Sequence, residues 1–425
     1  MKIAVIGAGI SGLSCAYWLS RQHEVCVYES ARNIGGHTAT VDVNLAGKSY
    51  AIDTGFIVFN DWTYPLFNQL IDELGVSFKP TQMSFSVSDT KNNFEYSGTN
   101  INTMLAQRTN LVSRRFWRMV SEIRRFNKQA RHDFINNKID PDVTMGAYLD
   151  EGGYGDAFRH YYILPMASAI WSMPRKSIHD FQAGFFIRFF HHHGLLNITN
   201  RPQWQVIKGG SREYLAPLIA PFSDKIRTGC EVTGVQRSVN NVQVNTRHGT
   251  DSYDALVFAC HSDQAIKILG EHASESERQI LGGINYYDSD VVLHTDTTLL
   301  PGKRRAWASW NYWLNGQDND VPLVTYNMNI LQGLKSDTTF CVSLNAGRHI
   351  DPEKIIRRFN YSHPELNAAS IQAQQRWQQI NGQNRSWFCG AYWGNGFHED
   401  GVASARRVIE SIEKQSCRST LSTAA

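Results

Sequence analysis

An apolar run, a glycine fingerprint and an acid occupy residues 2–29, and they constrain the fold more than anything else in the chain. Lys2 to Ile6 reads as a buried parallel strand, and Gly7-Ala8-Gly9-Ile10-Ser11-Gly12 follows at once. Ile10 to about Ser20 has helical spacing, and Glu24 to Tyr28 reads as the next strand, closed by Glu29. In such a βαβ unit Gly7 allows the tight turn, Gly9 lets the backbone approach a pyrophosphate, and Gly12 lets helix and strand pack closely. Phosphates would sit at the helix N-terminus, where unpaired N–H groups and the helix dipole favour anions. Glu29 would accept ribose hydroxyls and disfavour a 2′-phosphate. Lys2 ahead of an apolar stretch also suits a secretory signal, but three glycines inside its would-be apolar core argue against one. The unit therefore points to binding of FAD or NAD.

A chain of 425 residues has room for two or three domains. The net charge of +3 argues against a nucleic-acid binder. The seven cysteines are odd in number and scattered, without CxxC or Cys/His ligand spacing, so reduced thiols in a cytoplasmic protein and no metal site are expected. No apolar stretch reaches the ~18 residues of a membrane span.

Glycines at both ends of the chain decide between the two cofactors. Gly35-Gly36-His37-Thr38 comes soon after Glu29-Ser30, and Gly55-Phe56 follows. Paired glycines there allow a second close approach of backbone to cofactor. Near the C-terminus, Trp387 to Tyr392 reads as a short strand and loop, and His398-Glu399-Asp400-Gly401 leads into a helix from Val402 to about Lys414. That start offers a second helix N-terminus to a phosphate or to the flavin's polar edge. An extended FAD molecule uses both ends; an NAD domain seldom does.

These residues resemble the flavin-containing amine oxidase superfamily, which includes protoporphyrinogen oxidase and phytoene desaturases. Gly209-Gly210-Ser211 and Ile226 to Val232 match its middle landmarks, and Ala255 to Ala259 with His261 matches the segment returning towards the substrate region. The resemblance implies an α/β fold: a Rossmann-like, three-layer FAD-binding domain with an inserted α+β substrate domain. It puts the FAD domain at residues 1–75, 205–270 and 382–425, and the substrate domain at 76–204 and 271–381. It implies non-covalent FAD held by Gly7, Gly9, Ser11, Gly12, Glu29, Ser30, Gly35, Gly36, His37, Thr38, Gly55, Phe56, Val232, Gly390, Gly401 and Val402. Most amine oxidases have Arg where this chain has His37, and a neutral imidazole supplies no permanent charge to phosphates.

Several further segments are similar to the N-terminal flavoprotein domain of plant cyclopropane fatty acid synthases and its free-standing bacterial relatives. They are Gly35-Gly36-His37, Phe56 to Asn60, Met83 to Val87, Ile170 to Pro174, Gly194 to Leu196, Arg201 to Trp204 and Cys389 to Tyr392. That resemblance implies a lipid or other apolar substrate, and a separate fatty-acyl methyltransferase as partner.

Three features of the middle remain. Val112, Phe116, Met119, Val120, Ile123, Phe126 and Ala130 form an apolar helical stripe within 108–131, surrounded by arginines and Lys128. Such a helix suits peripheral docking on the anionic inner face of a membrane, or a core-facing helix whose solvated side is basic. Phe181 to Leu196, with Trp171 and Met173, suits an apolar channel reaching the flavin, or an ordinary core helix. His192, His193 and Trp171 are the candidate catalytic residues, either histidine as proton acceptor, while consecutive helical histidines point apart and make a poor metal site. Strands are expected at Ser289 to His294 and Phe340 to Leu344, and a disordered tail from Ser416. The function expected is an FAD-dependent oxidoreductase that dehydrogenates a lipid acyl chain; an amine or polyamine oxidase and a non-catalytic flavoprotein partner are the alternatives.

Overall fold

A computed structural model describes residues 1–316 and 321–423. In chain order, the elements that frame the glycine loops are β1 (Lys2–Ile6), α1 (Ile10–Leu19), β2 (Glu24–Tyr28), α2 (Arg114–Ile135), α3 (Leu164–Trp171), α4 (Ala183–His192), β3 (Ala255–Phe258), β4 (Tyr286–His294), β5 (Ile355–Pro364), β6 (Ser386–Phe388) and α5 (His398–Thr423).

A parallel sheet runs in the order Ile226–Arg227, β2, β1, β3, β6. Its strands are short and apolar because both faces are covered, and Ile3, Ala4, Val5, Leu256 and Val257 expose no surface. One core joins these strands to Leu13 and Ala16 of α1 and to Val402, Ala405 and Val408 of α5. The same core takes in Val235, Val242 and Val244 from an antiparallel sheet of Val232–Arg237, Val242–Thr246 and Gly249–Tyr253. Helices, parallel sheet and antiparallel sheet together make the α/β fold expected from the sequence.

A second, seven-stranded sheet runs β5, β4, Cys341–Leu344, Val324–Asn327, Trp310–Leu314, Phe85–Asp89, Phe94–Ser97. All its pairings are antiparallel except that between Trp310–Leu314 and Phe85–Asp89. Both expected middle strands belong to it, with Phe340 lying just before the second. Helices α2, α3 and α4 build a separate core around Phe126, Ala130, Trp171, Phe186 and Phe190.

The basic segment differs from expectation at its start. A short 3-10 turn (Arg108–Val112) precedes α2, and Ser113 caps α2 by accepting from the Phe116 N–H at 3.2 Å. Phe116, Met119, Phe126 and Ala130 are buried and face the core, but Val112 precedes the cap and is 84% exposed. The C-terminal helix also differs. It begins at His398 and continues to Thr423, through the expected tail, because no glycine or proline follows Gly401 to stop it. Ala424 and Ala425 lie outside the described residues. Among the described residues no helix is long and apolar enough to cross a membrane.

Candidate functional site

The turn after β1 makes an anion cradle. Gly7 has φ +107°, and a side chain there would meet the Ala259 carbonyl oxygen at 2.8 Å. A Cβ on Gly12 would sit 2.0 Å from the Gly7 carbonyl oxygen, so helix and strand need both glycines. Gly9 is the opposite case: a Cβ there would meet nothing within 4 Å. Gly9 is also the N-cap of α1 and brings no side chain to cap the first N–H groups. Bare donors facing open space are what a phosphate requires.

Glu29 stands at the carboxyl end of β2, held by the N–H groups of Ala8 and Ala31, both at 2.8 Å. Ser30 beside it is exposed. The paired glycines close over the first loop: the Gly35 N–H donates to Ala8 at 2.7 Å, and a Cβ on Gly36 would lie 3.2 Å from Gly9 Cα. The turn before Val232 hydrogen-bonds alongside Glu29, the Cys230 N–H donating to its carbonyl at 2.8 Å. Gly401 puts the start of α5 against the start of α1, since a Cβ there would meet Ser11 Oγ at 2.8 Å. Two helix N-termini therefore converge beside the glycine loops. Val402 is buried in the core behind them, and the Gly390 N–H is taken by Ser404 Oγ at 2.8 Å.

A second layer fixes these loops. His398, the first residue of α5, stacks on Phe56 at 3.5 Å between ring centroids. Its Nε2 faces Tyr214 Oη at 3.1 Å and Thr38 Oγ1 at 3.2 Å. Gly55 lies against His37, where a Cβ would meet the His37 carbonyl oxygen at 2.2 Å. Buried Asp53 accepts from Thr40 Oγ1, from the N–H and hydroxyl of Ser211, and from Gln332 Nε2 at 2.6–3.0 Å. Burial still pushes its carboxyl up to about 6.

Where the two sheets meet, imidazole and phenol rings gather around His37. Its ring centroid lies 5.0 Å from Tyr361, 5.6 Å from His363 and 6.3 Å from His261. Tyr286 stacks on His261 at 4.5 Å, and Tyr287 lies 6.1 Å from His363. The β4–β5 register pairs Tyr287 with His363 and Ser289 with Tyr361. All six rings remain partly open to solvent although both sheets surround them, as the walls of a cleft do. His37 Nε2 and His363 Nδ1 have no hydrogen-bond partner. Burial, reinforced by the neighbouring imidazoles, lowers His37 to about 3 and His363 to about 4, so both are neutral at physiological pH. Among the described residues no group of three or more His, Cys, Asp and Glu could hold a metal ion.

Sequence reasoning noted His261 but missed Tyr286, Tyr287, Tyr361 and His363. A signal was present: Tyr361 and His363 are two apart on a strand and therefore share a face. Of the residues it proposed for chemistry, Trp171 borders this cleft, its carbonyl accepting from the Tyr287 hydroxyl and its Nε1 buried without a partner. His193 stands apart from the ring cluster, stacked on Phe189 at 3.8 Å with its ring 6.0 Å from Phe397, and burial lowers it to about 4. His192 is exposed and edges Phe134 at 5.7 Å. The rings expected to line a channel pack on one another, with Trp171 4.8–6.2 Å from Phe181, Phe185, Phe186 and Phe189. Cys389 is buried against Cys15 of α1, which with burial keeps its thiol protonated and unreactive.

These residues fit FAD. The open space before Gly9, the uncapped start of α1, the pinned Glu29 and the unpartnered His37 Nε2 supply the space and the polar groups that such a cofactor would use beside the carboxyl edge of the parallel sheet. Solved structures of similar fold include a wild-type putrescine oxidase bound to putrescine, at TM-score 0.68 and 11% identity, covering 97% of this chain and 99% of that one. Cyclohexylamine oxidase from Brevibacterium oxydans IH-35A aligns at TM-score 0.66 and 14% identity, over 97% and 99% of the two chains. A CLA-producing fatty acid isomerase from P. acnes aligns at TM-score 0.67 and 14% identity, over 96% and 98%. No curated protein sequence matches the chain. The family model described as flavin containing amine oxidoreductase matches residues 10–294, well over half of the chain. The glycine cradle and that match converge: the chain belongs to the flavin-containing amine oxidoreductase family and is an FAD-dependent oxidoreductase.

Proposed function

We propose that the protein dehydrogenates a carbon–carbon pair in a lipid acyl chain, one bearing a methyl or methylene branch included. The reading rests on one observation: the rings where the sheets meet are aromatic and uncharged. Burial holds His37 and His363 neutral, and Tyr287, Tyr361 and Trp171 complete the wall. The acids near these rings, Asp263, Asp288 and Glu365, are exposed or half-exposed, and Asp288 accepts from Ser362. Ring faces also attract an ammonium, but its desolvation is fully offset when a buried carboxylate joins them, and the acids here face solvent; a hydrocarbon loses little on entering such a wall. A fatty acid isomerase with a similar fold is in keeping with this reading.

FAD, when bound, supplies the acceptor for the hydride that leaves carbon. The chain's own residues orient the acyl chain, exclude water and take the accompanying proton, for which the unpartnered Nδ1 of His363 is available. Gly9, Ser11, Glu29, Gly36 and Gly401 hold the cofactor, and residues 76–204 and 271–381 form the substrate domain. A separate fatty-acyl methyltransferase would supply a branched chain, and co-purification tests that partnership.

The experiment is the anaerobic visible spectrum of the purified flavoprotein, before and after adding detergent-dispersed acyl lipid, with polyamines in parallel. Bleaching of the flavin band by lipid alone is the expected result. Bleaching by polyamine, or by neither, overturns the proposal.

A further inference from the structure

Helix α2 presents a face that none of the chemistry above uses. Trp117, Arg124, Lys128, Arg131 and Ile135 are exposed and spaced by seven, four, three and four residues, which puts them on one side of the helix. They span roughly 27 Å along its axis at 1.5 Å per residue. The two acids of the helix are elsewhere. Glu122 is buried, accepting from Arg118 and from the Gly155 N–H, and Asp133 is buried among Gln129, His132 and Tyr148. The face is therefore purely cationic between two apolar ends. Leu111 and Val112, 57% and 84% exposed, extend the first end, where the Trp117 indole donates to the Leu111 carbonyl at 2.8 Å. Ile198, 66% exposed, stands beside the other.

At that second end lies a groove of about 480 Å³ whose lining includes Arg124, Asn127, Lys128, Arg131, Leu196 and Ile198. Asn127 is 7% exposed, and its Oδ1 has no hydrogen-bond partner. Leu196 is part of the aromatic core that includes Trp171, so the groove opens on the same packed body that reaches the reaction centre.

We infer that this face docks on an anionic lipid bilayer, with Trp117, Val112, Ile135 and Ile198 entering the interface, the three cations meeting lipid phosphates, and the groove taking a headgroup. Charge complementarity with flanking apolar anchors commits the surface to a membrane rather than to an acidic protein, which would need no protruding tryptophan and isoleucines at both ends. The inference extends the acyl-lipid reading and rests on it: a substrate embedded in a bilayer must be met at its surface.

Flotation of the FAD-loaded protein with phosphatidylcholine vesicles, and with vesicles that also contain phosphatidylglycerol, tests it. The protein is expected to float with the anionic vesicles alone, and less as salt is raised. Each cation at an anionic surface strengthens partition about fivefold, so the triple variant Arg124→Glu/Lys128→Glu/Arg131→Glu is expected to lose at least about a hundredfold. Trp117→Ala/Ile135→Ala is expected to weaken binding to the same vesicles with the charge intact. Unchanged melting and flavin content in both variants report an intact fold. If the wild type fails to float with anionic vesicles at low salt, or if the triple variant floats as the wild type does, the docking face is wrong. Bleaching of the wild-type flavin by dispersed lipid would in that case still stand, separating failure of the surface from failure of the acyl-lipid reading.

Discussion

Substituting Gly9 separates cofactor binding from folding. A Cβ at Gly9 meets no protein atom within 4 Å, and the residue's φ of −80° and ψ of −178° are open to alanine. In the flavin-free protein, Gly9→Ala gains about 0.4–1 kcal/mol from a stiffer unfolded chain and loses a comparable amount because alanine is a poorer N-cap than glycine. The net change in folding stability is therefore near zero. The methyl group occupies the space through which a phosphate approaches the α1 donors, and forcing an extra carbon into a filled site costs about 1–3 kcal/mol, or roughly fivefold to 150-fold in affinity. Gly12→Ala is the contrast, because its Cβ would lie 2.0 Å from the Gly7 carbonyl and must drive helix from strand. That cost, about 3 kcal/mol, falls on the fold itself. Urea unfolding of the flavin-free forms, with FAD titration followed by flavin fluorescence, measures both quantities. Gly9→Ala binding FAD as tightly as the parent, or unfolding as early as Gly12→Ala, would refute the cradle.

Two further expectations concern buried charge. His294 exposes no surface, bonds Ser343 Oγ at 2.8 Å, and is lowered to about 4 by burial. Because its folded pKa lies below the unfolded value near 6.5, the unfolded chain takes up the proton first; the stability it contributes is full above pH 6.5 and is lost as pH falls towards 4. Between pH 7 and 5 that is about 2 kcal/mol, and melting curves of His294→Gln should flatten with pH by this amount; an unaltered pH dependence excludes His294 as its source. Arg237 and Glu277 form an ion pair at 2.6 Å with 4% and 1% of their side chains exposed. Arg237→Met strands the carboxylate and should cost about 3–5 kcal/mol in urea unfolding, while Arg237→Met/Glu277→Leu recovers most of it; equal losses in the two would show that packing, not charge, decides.

The cofactor half of the site was legible because it is local. Strand, glycines, helix and acid follow within thirty residues, and each glycine has a steric reason that can be stated without the fold: Gly7 and Gly12 for contact, Gly9 for space. The ring cluster around His37 was not legible because it is assembled at long range. His37, His261, Tyr287 and His363 come from loops and strands that only the pairing of β4 with β5, and its position against the first sheet, brings together. In the run His191 to His193 the first two rings both pack on Phe134, and the third turns away to stack on Phe189. The amphipathic stripe of 108–131 is helical from Phe116 onward, and Val112 falls outside the helix because Ser113 caps it.

The bonds around Asp53 have a mechanical meaning. Its N–H donates to Gln332 Oε1 at 3.0 Å, and Gln332 Nε2 donates back to its carboxylate at 2.9 Å, while the same carboxylate holds Ser211 at the next glycine loop. A segment beside the seven-stranded sheet is thus riveted to the glycine loops by a doubly bonded joint that water does not reach. Swinging the two sheets apart would tear that joint, so it is a poor place for a hinge.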